Sequence, residues 1–195
     1  WVLLCSAREK FMIKVRIARE TDFQDIAQVY IETWRDSYAG TLPDRVLIDM
    51  KKEKLVFSFS LTLQHHSEVL VVAEDTKEGI VGMGSAGRNR DRRSKYLGEV
   101  YTLYVHPSHQ NKGIGKMLLS HLFCELTKFN INSSIIWVLA GNPSRFFYEV
   151  MGGKMTGVRD ETLWGTALKE ICYGWINLSK TIGNQTWQLH QRRDD

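Results

Sequence analysis

The chain has 195 residues, 43% of them apolar, enough for one well-formed core, and its 26 basic and 22 acidic residues leave a net charge of +4. That charge is too small for a nucleic-acid-binding footprint. No run approaches the roughly 18 uninterrupted apolar residues of a membrane span, and Trp1-Val-Leu-Leu-Cys5 is too short for the apolar core of a secretory signal. A soluble, cytoplasmic protein is expected, with Cys5, Cys124 and Cys172 as reduced thiols, since they are odd in number and lack metal-like spacing. His65, His66, His106 and His109 also lack the neighbours of a zinc site, so no metal is expected.

A single domain is expected over 12–178. The strand-like Met12-Ile-Lys-Val-Arg-Ile-Ala suggests that residues 1–11 are non-native or upstream sequence, and 179–195 reads as a polar, loosely held tail.

A first strand is expected at about 12–18, and Thr21 is placed to cap a helix whose Phe23, Ile26, Ala27, Tyr30 and Trp34 share one face. A second helix is expected to start near Pro43 and run through Leu47 and Met50 towards Phe59. Strands at about 68–74 and 79–88 form a hairpin about the turn Asp75–Gly79, and the basic run Arg88 to Lys95 reads as a loop.

Residues Glu99 to Val105 alternate, are rich in β-branched and aromatic types, and stop at Pro107, which predicts a strand. From Gly113, apolar residues at Ile114, Met117, Leu118, Leu122, Phe123 and Leu126 recur with helical spacing. Gln110 to Lys116 are therefore the approach to that helix and its first turn. Backbone N–H groups there have no partner within the helix. Glycines at 113 and 115 let an anion come close, the helix dipole attracts it, and Lys112 and Lys116 add charge. A P-loop is excluded because Gly113-Ile-Gly-Lys116-Met117 lacks its spacing and its hydroxyl, and a dinucleotide fingerprint is excluded because Leu118 replaces the third glycine.

Further on, Ser134 to Leu139 predicts a short apolar strand, Asn142-Pro143 a helix cap and first helical residue, and Gly152-Gly153 the end of that helix. Strands near 154–160 and 167–176 close the order β-α-α-β-β-β-α-β-α-β-β, an α/β (α+β) domain with one mixed sheet of about seven strands between helices.

The order Gln110-x-x-Gly113-x-Gly115, after a strand reading Leu-Tyr-Val-His-Pro, resembles the acyl-CoA signature of the GNAT superfamily of N-acetyltransferases. The resemblance covers most of the chain and implies the same element order. It implies that the amides of Gln110, Asn111, Lys112, Gly113, Ile114, Gly115 and Lys116 hold the pyrophosphate of acetyl-CoA. Leu103, Tyr104 and Val105 would offer backbone groups to its pantetheine arm, which enters where the signature strand and the next one splay apart.

Acetyl transfer to an amine needs an uncharged nucleophile, and an alkyl amine with a pKa near 10.4 is almost wholly protonated at neutral pH. A base is required. Strand alternation places Glu99, Tyr101, Leu103 and Val105 on one side, and the resemblance implies Glu99 as general base, commonly through water; a Glu paired with an arginine or solvated at the strand start is the structural alternative. Tyr148, in Phe-Phe-Tyr148-Glu-Val-Met-Gly152, matches the family's frequent acid for the leaving thiolate, with simple packing as its alternative. Asn142 resembles the family asparagine that contacts pantetheine, although six positions separate it from Tyr148 where seven are expected; a role as helix cap alone is its alternative. Trp34 and Tyr38 are four apart and either face the acceptor cleft or pack the helix end.

The expected function is transfer of an acetyl group from acetyl-CoA to a primary amine by direct attack. The acceptor is a small-molecule amine or a protein or peptide amine. A homodimer is compatible with this reading. A CoA-binding sensor of the same fold without turnover is the alternative from another class.

Overall fold

The computed structural model describes residues 13–64, 68–163 and 165–183. Met12, the readings made for 1–11, His65, His66 and the end of the polar tail lie outside these residues.

Seven strands form one sheet in the order β1-β2-β3-β4-β5-β7-β6. They are β1 (Ile13–Ile17), β2 (Glu68–Asp75), β3 (Gly79–Arg88), β4 (Gly98–Val105), β5 (Ser134–Leu139), β6 (Lys154–Leu163) and β7 (Thr166–Trp175). Every pairing is antiparallel except β4 with β5. The helices are α1 (Phe23–Tyr38), α2 (Asp44–Ile48), α3 (Lys52–Gln64), α4 (Ile114–Lys128) and α5 (Arg145–Val150).

The apolar runs of the central strands are explained by helices on both faces. On β2, Val71 and Ala73 point into the cluster built on α4 by Leu118, Leu119, Leu122 and Phe123. Leu70 and Val72 point the other way, into a cluster with Phe23, Ile26 and Ala27 of α1 and Phe59 of α3. Helix α4 lies very close to β3: a Cβ on Gly84 would stand 2.9 Å from Leu122 Cδ1, so a larger residue there requires the Leu122 side chain to shift.

Four expectations are corrected. The residue at the N-cap position of α1 is Asp22 and not Thr21, and its side chain serves the preceding 3₁₀ turn Glu20–Asp22, where Asp22 Oδ2 accepts the Arg19 N–H at 2.7 Å. The second helix is two helices, because Leu47 packs with Tyr38, Leu42 and Leu139 while Leu55, Val56 and Phe59 pack under α1, and one straight helix cannot serve both clusters. Arg35 Nε closes the break by donating to the Leu47 carbonyl at 3.0 Å. Helix α5 starts at Arg145, two residues after Pro143, preceded by a tight turn in which Asn142 Oδ1 accepts the Ser144 N–H at 2.9 Å. Residues 179–183, expected to open a loose tail, are helical and continue from buried Leu178, whose N–H bonds to the Asn132 carbonyl at 2.9 Å.

Candidate active site

Strands β4 and β5 pair only from Gly98 to Val100 against Ser134 to Ile136. Beyond that point Tyr101–Val105 and Trp137–Leu139 have no ladder to each other, and a cleft of about 530 Å³ opens between them. Its floor is the splay, one wall is α1 and the loop after it, and its mouth is the turn into α4.

A bulge in β4 sets which side chains face the cleft. Ser85 pairs with Thr102 but Ala86 pairs with Val100, so Tyr101 is passed over in the register. The side chains therefore lose strict alternation: Val100, Leu103 and Val105 share the α4 side, whereas Tyr104 packs with α1. Glu99, expected on the side of Leu103 and Val105, instead stands beside Ile135, which belongs to a different cluster with Tyr96 and Cys172.

At the mouth of the cleft, Gly113 adopts φ 82°, a left-handed conformation that a Cβ disfavours, and Asn111 is left-handed as well. The first helical bond of α4 runs from the Met117 N–H to the Gly113 carbonyl at 3.2 Å, so the amides of 114–116 have no acceptor within the helix. Open space surrounds Gly113, and Phe147 of α5 packs over Gly115. The loop is tied to its strand by Gln110, whose Nε2 donates to the Val105 carbonyl at 3.1 Å. These groups form an anion cradle that suits a pyrophosphate.

Deeper in the cleft, Glu99 is 3% exposed and takes three N–H donors from Arg90: the backbone N–H at 3.2 Å, Nε at 3.1 Å and Nη2 at 2.5 Å. Arg90 also lies over the Tyr101 ring at 4.9 Å, and that phenol is pushed up to about 12, first by burial and then by Glu68 and Glu99. Tyr148 is 6% exposed, and burial holds its phenol far above the ordinary range. Tyr38 Oη accepts from Asn142 Nδ2 at 3.2 Å. Along α1, Tyr30 stacks on Trp34 with centroids 5.4 Å apart and Trp34 meets Tyr38 edge to face at 5.0 Å, while Tyr104 meets Tyr30 edge to face at 5.0 Å.

Of the residues singled out from sequence, Trp34, Tyr38, Glu99, Leu103, Tyr104, Val105, Gln110, Asn111, Gly113, Ile114, Gly115, Lys116, Asn142 and Tyr148 line this one cleft, while Lys112 does not. The lining also holds residues that sequence reasoning missed: Tyr30, Thr33, Arg90, Trp137, Arg159 and Glu170. Arg159 bonds Glu170 at 2.6 Å and covers the Trp137 ring at 4.1 Å, an arrangement made by three strands that no local pattern announces. Tyr30 did carry a signal, the Tyr30, Trp34, Tyr38 spacing of four. Among the described residues no group of His, Cys, Asp and Glu is arranged to hold a metal, and no helix is long and apolar enough to cross a membrane.

A mixed seven-stranded sheet, splayed beside an anion cradle at a helix start, is the framework of an acyl-group transferase. The acetyltransferase (GNAT) family model matches residues 23–152. YuaI of Bacillus subtilis (strain 168), described as an uncharacterized N-acetyltransferase, is 30% identical over 176 residues, covering 89% of this chain and 100% of that protein. PaiA N-acetyltransferase from Thermoplasma acidophilum, solved with coenzyme A, superposes with a TM-score of 0.60 at 20% identity over 82% of this chain and 98% of its own. A GNAT superfamily phosphinothricin acetyltransferase from Sinorhizobium meliloti, solved with acetyl-CoA, gives 0.65 at 25% identity over 84% and 87%. The chain belongs to the GNAT family and is an N-acetyltransferase. Nothing in these relationships favours a non-catalytic protein of the same fold.

Proposed function

We propose that the protein transfers the acetyl group of acetyl-CoA to a primary amine by direct attack, with both substrates in the cleft between β4 and β5. The observation that carries this reading is the coincidence of the splay, the cradle at 110–116 and two oppositely suited groups, Glu99 and Tyr148, in one cavity. The amides of 114–116 and the side chain of Lys116 hold the pyrophosphate, with Lys112 adding charge from outside the lining. The unpaired edge of β4 at Leu103, Tyr104 and Val105 receives the pantetheine arm. The Val105 carbonyl is already engaged by Gln110, so the free groups of that edge lie before it.

Glu99 removes the proton of the attacking amine. A carboxylate offers roughly four lone-pair positions, and Arg90 takes three of them. One position is left, which suits a single relaying water better than direct contact. As the amine nitrogen bonds to the thioester carbon, the carbon–sulfur bond breaks and the sulfur leaves as a thiolate. Tyr148, kept protonated by burial, donates its proton to that sulfur. Asn142 spends Oδ1 on Ser144 and Nδ2 on Tyr38, so we assign it the shape of the cleft wall rather than a cofactor contact. Trp34 and Tyr38 present aromatic surface to the acceptor, a small-molecule or protein or peptide amine.

Thiol release from acetyl-CoA, measured with a panel of small amines and peptide amines, tests the reading. Amine-dependent release that falls sharply in Glu99→Gln supports it, and release indifferent to both Glu99 and Tyr148 contradicts it. A cytoplasmic location agrees with the free thiols at Cys124 and Cys172 and is checked by fractionation. A homodimer is the assembly to test first, by light scattering.

A further inference from the structure

The break between α2 and α3 leaves the angle between those helices open, and a second cavity of about 560 Å³ is lined there by residues of α1, α2, α3 and the connection 49–51. That volume is of the size that holds a ligand. Part of the lining is apolar, with Val46, Met50 and Leu55 half-buried along it. Tyr30 and Trp34 of α1 complete it, and these two residues also line the catalytic cleft. Their rings stack nearly parallel, with 13° between the planes. The two cavities therefore meet at one aromatic pair.

The exposed part of the lining is charged. Arg45 of α2, Lys51 of the connection and Lys54 of α3 stand there against a single carboxylate, Asp49. Among the described residues, none of these three cations is held in an ion pair or a side-chain hydrogen bond. The cleft is different: Arg90 and Arg159, the arginines that line it, are each engaged by a carboxylate, Glu99 and Glu170. Positive charge open to a ligand is thus found in the second cavity, beyond the aromatic pair. Arg45 and Lys54 belong to different helices, with Lys51 between them in the chain, so the cations are offered to several carboxylates in succession along an extended segment. The half-buried apolar side chains suit the aliphatic parts of such a segment.

We propose that this second cavity is the distal subsite for the acceptor, and that the acceptor is an acidic peptide whose amine crosses the Tyr30–Trp34 pair to reach Glu99 while neighbouring carboxylates lie among Arg45, Lys51 and Lys54. The proposal rests on the reading of the β4–β5 cleft as the site of acetyl transfer to an amine. The bonds made and broken are those given above, because the cations are remote from the reacting atoms. They act on binding, so acidic residues in the acceptor lower KM and leave kcat nearly as it is. Exposed charges also draw an acidic chain towards the protein from a distance, and salt weakens that attraction.

The test is steady-state thiol release from acetyl-CoA with paired peptides, one of each pair carrying a run of Glu and Asp and the other the matching Gln and Asn. Each probe has a free amino terminus and one lysine, so that either kind of amine can react. Wild type is expected to favour the acidic partner about tenfold in kcat/KM, the scale of a few solvent-exposed charge pairs, with the difference in KM and shrinking as salt is raised. The double substitution Lys51→Glu with Lys54→Glu, at two exposed positions, is expected to reverse the preference, with melting curves to confirm folding. Equal use of acidic and neutral peptides by wild type overturns the proposal, as does refusal of both while small amines are acetylated, or an unchanged preference in the double variant. Absence of thiol release with every peptide and small amine overturns the acetyl-transfer reading instead.

Discussion

Arg90 holds Glu99 through its backbone N–H and two guanidinium nitrogens, although the arginine side chain is 66% exposed and the carboxylate only 4%. A loop residue from the basic run thus reaches the central strand and fixes the acid proposed as base. Glu99→Gln is expected to lower kcat by about a hundredfold, the usual scale for loss of a positioned base. Arg90→Gln leaves the buried carboxylate to water and is expected to cost about 1–2 kcal/mol of stability, discounted because the guanidinium is already largely hydrated. Steady-state kinetics and urea denaturation read the two effects separately.

Tyr148 lies in the core cluster with Tyr173 and Trp175 and also lines the cleft. Tyr148→Phe keeps the ring and removes the proton donor. A thiol with a pKa near 8.5 leaves with modest help, so a roughly tenfold fall in kcat is expected, with KM for acetyl-CoA unchanged. Since burial holds the phenol protonated, its ionisation contributes no alkaline fall in rate below about pH 10, its ordinary value. Full wild-type turnover in the variant would remove the acid from the mechanism.

Asp22 is buried against Arg16, which donates to it from Nη1 at 2.6 Å and Nη2 at 2.9 Å, and it also caps the turn before α1. These bonds, chiefly those from Arg16, depress its carboxyl in the folded state. A depressed carboxyl stabilises the fold above the unfolded value of about 3.9, and that stability is lost as pH falls through the lower folded value. Asp22→Asn is therefore expected to cost about 2 kcal/mol at pH 7, with the gap to wild type closing below about pH 4. Thermal melts across acid pH give the comparison.

Asn142 joins the turn before α5 to Tyr38 of α1 across the cleft. Asn142→Ala is expected to lose about 1 kcal/mol of stability, as a lost cap does, and to leave acetyl-CoA affinity nearly unchanged. A tenfold loss of affinity, read by calorimetry, would restore the asparagine as a pantetheine contact.

Much of this architecture was legible because its signals are local. The apolar period from Ile114 to Leu126, the turn at 75–79 and the glycines at 113 and 115 each depend on neighbours in sequence, and all lie where they were expected. The failures came from tertiary competition. Nothing near Asp49 announces that Leu47 and Leu55 serve different clusters, so the break between α2 and α3 was invisible. The bulge at Tyr101 overturned the alternation that placed Glu99, because register belongs to a pair of strands and not to one. Glu99's partner was hidden for a related reason: Arg90 looked like part of a solvated basic run until the loop's path brought it back to β4. Arg159 and Glu170 are far from the motif in sequence and meet the cleft only through the β5-β7-β6 order.

The central claim is that acetyl-CoA binds with its pyrophosphate on the turn into α4. Calorimetric titration of wild type and of Gly115→Val with acetyl-CoA tests it most directly, because a Cβ at Gly115 already stands 3.4 Å from Phe147 and a larger side chain crowds the cradle. The account predicts saturable one-to-one binding by wild type, and none by a Gly115→Val protein whose melting shows it folded. Failure of wild type to bind, or undiminished binding by the variant, would contradict it.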